Sequence, residues 1–232
     1  LANASLEEAP LVPPKDARAS PVVEVFLAVQ PIARFIGRSI VTGKKDNQTY
    51  FYLHMNPKIL QTKKSPVKKI CLVWDASLSA EKRDSQKEFK LMDRYFSLFQ
   101  KVKIECVIFR NDVEKKTKTF TINNGKWDSL RSYLLSLPCD GGTQLGSINL
   151  TKYKCDEFII STDGISTFGD GEITLSSTPV IVINSQLTAQ HSYLTYLARK
   201  TGGAYINLTK ETISQGLALM KYQPYSFIKA EY

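Results

Sequence analysis

From about residue 68 onward, short apolar runs of the strand type alternate with amphipathic segments of the helix type. The run at 70–74, "ICLVW", is continuously apolar, as expected of a central parallel strand that is covered on both faces. The segment 84–100 places Phe89, Met92 and Phe96 on one face of a helix. Such alternation predicts an α/β fold with a doubly wound, mostly parallel, six-stranded sheet flanked by helices.

The alternating part of the chain supplies ten predicted elements. The strands are predicted at 68–74, 103–109, 114–122, 157–162, 179–184 and 204–208. The helices are predicted at 84–100, 126–137, 191–203 and 211–222. In a sheet of this kind, ligands bind in the crevice beyond the carboxyl ends of the strands.

The residues before the alternating part have a different pattern. Residues 1–21 are rich in proline and small residues and are predicted to be a linker or tail. Three segments rich in β-branched and aromatic residues follow at 22–29, 34–43 and 49–56. We therefore predict a small antiparallel β unit over 22–62, and we expect the tail 225–232 to return and pair with it.

The amino-acid composition says less about function than the order of strand-like and helix-like segments does. Lys and Arg exceed Asp and Glu by 31 to 22, a net charge of +9. The lysines lie in short scattered clusters, so they indicate a solvated surface rather than a nucleic-acid site. No C-x-x-C pair is present to suggest zinc, and no run of 18 apolar residues predicts a membrane span.

Three polar loops follow apolar segments and carry oxygen ligands. They are "DASLS" at 75–79, "CDGGTQLG" at 139–146 and "STDGIS" at 161–166. Carboxylate and hydroxyl oxygens suit Mg²⁺, Ca²⁺ or Mn²⁺. The candidate ligands are Asp75, Ser77, Ser79, Thr143 and Asp163. Taken alone, "DASLS" is equally well explained as a turn that caps the helix predicted to begin near residue 84.

The three loops together resemble the von Willebrand factor A domain family and its metal-ion-dependent adhesion site. The matching motifs, in order, are Asp75-x-Ser77-x-Ser79, Gly141-Gly142-Thr143 and Thr162-Asp163-Gly164. The resemblance covers about residues 66–222, which we take as the predicted A domain. Two residues depart from the common pattern, Trp74 before the first motif and Ala80 after it. A weaker resemblance, to inter-α-trypsin inhibitor heavy chains, rests on the β-rich segment "TYFYLHMNP" that precedes the A domain.

The resemblance implies a role for each candidate. Ser77 and Ser79 would bind the cation directly, and Thr143 would bind it when a partner is engaged. Asp75 and Asp163 would act directly or through water. Mg²⁺ is the cation most expected, and a protein partner's Asp or Glu would complete the coordination. Many relatives of this type are exported, so an extracellular, cell-surface or periplasmic location is favoured.

Enzymatic functions find little support in the residues. The two histidines, His54 and His191, lie far apart in the sequence, and no G-x-S-x-G elbow or G-K-[ST] loop is present. We therefore expect a non-enzymatic, cation-dependent protein-binding module for adhesion or assembly. The alternative is an assembly scaffold that binds through its basic surface and has a vestigial metal site.

Overall fold

The structure is a computed structural model. It describes residues 63–222 and, outside them, the backbone of residues 26–30, 34–45, 48–58 and 226–231. The predicted linker at 1–21 lies outside the described residues. Among the helices that the structure describes, none is long and apolar enough to cross a bilayer.

The main body is a six-stranded sheet. Its strands are β4 (Lys69–Asp75), β5 (Lys101–Phe109), β6 (Lys118–Asn123), β7 (Glu157–Ser161), β8 (Val180–Asn184) and β9 (Ala204–Asn207). They lie in the order β6-β5-β4-β7-β8-β9, and all neighbours are parallel except the edge pair β5 and β6. The predicted fold class is confirmed.

Four helices cover the sheet. They are α1 (Ser85–Phe96), α2 (Asp128–Leu135), α3 (His191–Lys200) and α4 (Ile213–Lys221). One face of the sheet forms an apolar core with α1, α2 and α4, and the other with α3 and the irregular segment 145–153. Both faces of β4 are therefore buried, which explains its continuous apolar run.

The remaining strands form two separate pairs. Strands β2 (Arg34–Lys45) and β3 (Gln48–Lys58) form an antiparallel hairpin. Strand β1 (Phe26–Gln30) pairs antiparallel with β10 (Ser226–Glu231), so the tail meets the first strand of the N-terminal region. The boundaries of the units, 22–62 and 66–222, stay predictions.

Candidate metal centre at the carboxyl edge of the sheet

Asp75 is the last residue of β4, and its side chain is fixed by two hydrogen bonds. One carboxylate oxygen accepts from the backbone N–H of Ser77 at 2.9 Å, and the other from the hydroxyl of Thr162 at 2.7 Å. The residue is 1% exposed. The carboxylate thus joins its own loop to the loop that follows β7, two strand ends that lie side by side in the sheet.

Ser77, Ser79 and Asp163 lie in contact beside it. The hydroxyl oxygens of Ser77 and Ser79 are 3.2 Å apart. Burial raises the pKa of Asp163, and the negative charge of Asp75 raises it further. The backbone N–H of Ile165 and the hydroxyl of Ser79 oppose this shift by hydrogen bonding to the Asp163 carboxylate. Two buried carboxylates thus lie close enough for the charge of Asp75 to raise the pKa of Asp163, and a cation between them would relieve this repulsion.

Thr143 belongs to the loop that follows α2 and lies beside the Asp75 loop. This loop is joined to the Asp75 loop by two backbone hydrogen bonds, from Leu78 N to Gly141 O at 3.1 Å and from Asp140 N to Ala76 O at 3.1 Å. Thr143 N also donates to the hydroxyl of Thr167 at 2.8 Å, in the loop after β7. The structure therefore brings all three predicted loops to one edge of the sheet.

The hydroxyl of Thr143 has no hydrogen-bond partner among the described residues, although the residue is only 1% exposed. A buried hydroxyl without a partner costs roughly 1–3 kcal/mol by mutational data. Such a group normally has a partner in native proteins, so an unpaired one calls for an explanation, such as an ion.

The glycine before Thr143 packs closely against side chains of the loop after β7. A Cβ on Gly142 would lie 2.6 Å from the hydroxyl of Thr167 and 2.7 Å from the ring of Phe168. Any larger residue would require the side chains of Thr167 and Phe168 to move. Phe168 is 45% exposed and Leu78 is 58% exposed, so two apolar side chains flank the oxygen ligands.

A buried ion pair beneath the site was not predicted from the sequence. A guanidinium nitrogen of Arg83 lies 3.7 Å from a carboxylate oxygen of Glu88, and both side chains are almost fully buried. Arg83 also donates to the backbone carbonyl of Asp75 and to the hydroxyl of Ser161. Its guanidinium lies 4.4 Å from the ring centroid of Trp74, one of the two residues that depart from the common motif.

Glu88 extends this network to two further strands. Its carboxylate accepts from the hydroxyl of Ser161 at the end of β7 and from that of Ser185 after β8, both at 2.7 Å. Burial raises the pKa of Glu88, and the adjacent Arg83 lowers it. The ion pair therefore connects the ends of three neighbouring strands with the first turns of α1.

The simpler explanation of "DASLS" as the cap of α1 is wrong. Asp84 is the N-cap residue, and its side chain accepts from Lys87 N at 3.0 Å. Ser77 precedes a short 3₁₀ turn at Leu78–Lys82 and makes no capping hydrogen bond with its side chain. The hydroxyls of Ser77 and Ser79 consequently do not cap α1.

The donor set fits a hard divalent cation. It consists of two carboxylates and three hydroxyls, all oxygen, from five residues on three loops. Among the described residues, no three or more His, Cys, Asp or Glu side chains lie together so as to hold a metal ion, so the hydroxyls are a necessary part of this donor set.

The strand order and the three converging loops allow a comparison with known proteins. No protein-family model and no curated protein sequence matches the chain. Solved structures do match, with low identity. The strand order and the flanking helices are those of a von Willebrand factor A- or Rossmann-like α/β fold. One match is a von Willebrand factor type A protein from Catenulispora acidiphila, with 10% identity and a TM-score of 0.47, covering 81% of this chain and 49% of that one.

Two other similar structures come from Bacteroides. An aerotolerance-related membrane protein from Bacteroides fragilis has 15% identity and a TM-score of 0.48, covering 66% of this chain and 96% of that one. The protein BatB from Bacteroides thetaiotaomicron has 13% identity and a TM-score of 0.46, and the match covers 66% of this chain and 95% of that one. The von Willebrand factor A-like part of the present chain is its six-stranded sheet with four helices.

Proposed function

We propose that this chain is a non-enzymatic protein-binding module that engages its partner through a divalent cation, most readily Mg²⁺. Asp75, Ser77, Ser79, Thr143 and Asp163 would hold the cation. The observation that carries the proposal is the buried Thr143 hydroxyl, which has no partner among the described residues.

The chemistry of the site favours a partner carboxylate. Only two of the five candidate ligands carry charge, so a bound divalent cation would stay electron-poor and attract a further anionic ligand. The exposed side chains of Leu78 and Phe168 stand beside the site, which suits a protein surface better than a small polar ion. An acidic side chain flanked by apolar ones is the partner chemistry that fits.

Calorimetry and thermal unfolding with Mg²⁺, Ca²⁺ and Mn²⁺ test the cation. Binding to the native state alone should stabilise it by about 2.7 kcal/mol at ~100-fold excess over Kd. Chelator should reverse the shift. An unchanged unfolding temperature of the wild-type protein with all three cations would overturn the proposal.

The variant Thr143→Val gives the sharpest comparison, because it keeps the shape of the side chain and removes only the hydroxyl. Without metal, it should be as stable as the wild type or more stable by about 1 kcal/mol, since an unpaired buried group is gone. With metal, its stabilisation should be smaller than that of the wild type. Ser147→Ala is the matched control, since that hydroxyl donates only to its own turn, at Gln144 O.

The partner is tested with a displayed peptide library. Peptides selected in Mg²⁺ should carry Asp or Glu and should be released by chelator. Selection of peptides that stay bound in chelator and are released by salt would instead support the alternative, a scaffold that binds through its basic surface.

A further inference from the structure

The edge of the sheet opposite the candidate metal centre is strongly basic. Because the five parallel strands begin there, the turns that precede them and the ends of α1 and α3 lie at the same edge. We call it the basic edge. Its exposed cationic side chains are Lys63, Lys68, Arg94, Lys101, Lys103, Lys126, Lys152, Lys154, Arg199 and Lys200.

Little of this charge is neutralised nearby. Glu157, at the start of β7, is buried and pairs with Lys64 at 3.1 Å. Asp156 accepts hydrogen bonds from the backbone N–H groups of Lys68 and Lys69, at 2.7 and 2.9 Å. Among the described residues of these turns, Asp156 and Asp128 are the exposed carboxylates. The excess of cations therefore faces solvent.

One corner of the basic edge also exposes an apolar side chain. Leu98 is 49% exposed in the turn between α1 and β5. This turn packs against the next one along the edge, because Asn124 N donates to Gln100 O at 2.8 Å. Lys101 follows the first turn and Lys126 belongs to the second, so Leu98 has cations on both sides.

The composition of the edge indicates which polyanion it suits. Eight of the ten cations are lysines, which bind as point charges and lack the forked geometry that arginine offers to individual phosphates. Of the exposed aromatics among the described residues, Phe168 lies at the carboxyl edge, and Tyr196 stands alone on α3, one turn before Lys200. A nucleic acid would therefore find no row of aromatic rings on which successive bases could stack. A row of lysines with one projecting leucine is suited to a lipid surface.

We propose that the basic edge docks on an anionic lipid bilayer, with the lysines near the headgroups and Leu98 in the interface. The docked domain would present its opposite, carboxyl edge to the surroundings. This inference is independent of the proposed cation, because no residue of the metal centre lies at the basic edge.

Sedimentation of the full chain with vesicles tests the proposal. The chain should bind vesicles of phosphatidylcholine mixed with phosphatidylglycerol, and should not bind phosphatidylcholine alone. A lysine near such a surface contributes about a fivefold change in partition. The variant Lys101→Glu/Lys103→Glu should therefore lower partition by at least about tenfold, and Lys152→Glu/Lys154→Glu should lower it similarly.

The matched control is Lys115→Glu/Lys116→Glu, which makes the same change in net charge in the exposed loop at the carboxyl edge. This control variant should bind the anionic vesicles nearly as tightly as the wild type does. Equal losses for the control and the Lys101→Glu/Lys103→Glu variant would show that only net charge matters and would overturn the docking surface.

Leu98→Ser separates a bilayer from other polyanions. It should weaken binding to anionic vesicles and leave binding to heparin or duplex DNA unchanged. If heparin or DNA binds more tightly than the vesicles, and Leu98→Ser leaves vesicle binding unchanged, the edge serves a polyanion other than lipid and the proposal is wrong.

Discussion

The Arg83–Glu88 pair shows how a single buried cation supports the Asp75 loop. Arg83 donates to the Asp75 carbonyl, so the position of the loop depends on a guanidinium that is itself held by Glu88. Removing one member of a buried pair leaves the other charge uncompensated, which typically costs 3–5 kcal/mol. The pair is therefore expected to matter more for stability than any exposed ion pair.

Arg83→Met should destabilise the protein by about 3–5 kcal/mol near neutral pH. The pKa of Glu88 is already raised by burial, and loss of Arg83 should raise it further. A carboxyl group whose folded-state pKa is raised stabilises the fold below its unfolded pKa and loses that contribution as pH rises. The cost of Arg83→Met should thus shrink as pH falls towards the ordinary pKa of a glutamate side chain.

Denaturant unfolding between pH 4.5 and 8 would measure this cost, with Arg83→Met/Glu88→Gln as the control. The neutral glutamine can still hydrogen bond to the two serines, so the double variant should lose less stability and show little pH dependence. A cost of Arg83→Met that is the same at every pH would mean that the guanidinium acts through its packing on Trp74 instead.

Sequence spacing located the candidate ligands because loops after neighbouring parallel strands must meet at one edge. The spacing of residues in the sequence did not distinguish the buried Arg83 from the rest of the 31 lysines and arginines. Glu88 could have been found, since it lies four residues before Met92 and seven before Tyr95, on the apolar face of α1. A carboxylate on such a face predicts a buried partner.

At the scale of elements, the junction between α3 and β9 depends on two adjacent glycines for different reasons. Gly202 has φ +72° and open space where a Cβ would be. Gly203 has an ordinary φ, but its Cβ would lie 1.9 Å from the carbonyl oxygen of Val180, the first residue of β8. The first glycine ends the helix, and the second lets β9 approach β8.

Gly202→Ala should cost about 1 kcal/mol, because only the left-handed backbone conformation is disfavoured. Gly203→Ala should cost more, about 3 kcal/mol, because the backbone of β8 must move. Thermal unfolding of the two variants would compare these costs, and a larger loss for Gly202→Ala would contradict the stated contacts.

The limits of sequence prediction are clearest at the ends of elements. The edge strand was predicted at 114–122 and occupies Lys118–Asn123, since Val113 instead bridges back to Phe109. The helix predicted at 84–100 ends at Phe96. Phe99 lies in the turn that follows the helix. It still fits the apolar spacing because its ring packs edge-on against that of Tyr95, with 5.1 Å between the ring centroids. Periodicity alone does not separate a helix from an apolar turn that covers the same core.

At the scale of the whole molecule, Lys63 and Lys64, which precede the predicted boundary at residue 66, contact the body that follows. Lys63 bridges to Tyr222, and Lys64 N donates to Lys221 O at 3.1 Å. The ammonium of Lys64 pairs with the buried Glu157, which also accepts from the hydroxyl of Tyr95. The residues just before β4 thus belong to the packed body.

A fragment of residues 63–222 should be more stable than one of 66–222, by about 3 kcal/mol. The shorter fragment lacks Lys64 and leaves the Glu157 carboxylate buried without its cation. Denaturant unfolding of both fragments would measure the difference, and Lys64→Met in the longer fragment should reproduce most of the loss. Equal stabilities would place the boundary at residue 66 after all.

The von Willebrand factor A-like body is inserted between two strands, β1 and β10, that pair with each other. Strand residues Gln30 and Ser226 are neighbours, although roughly 200 residues separate them, and closing so long a loop in an unfolded chain is entropically costly. The bridge between Lys63 and Tyr222 holds the two ends of the inserted body together. Assembly should therefore proceed from the inside outwards: during synthesis β1 must wait, unpaired, until residues 226–231 have left the ribosome.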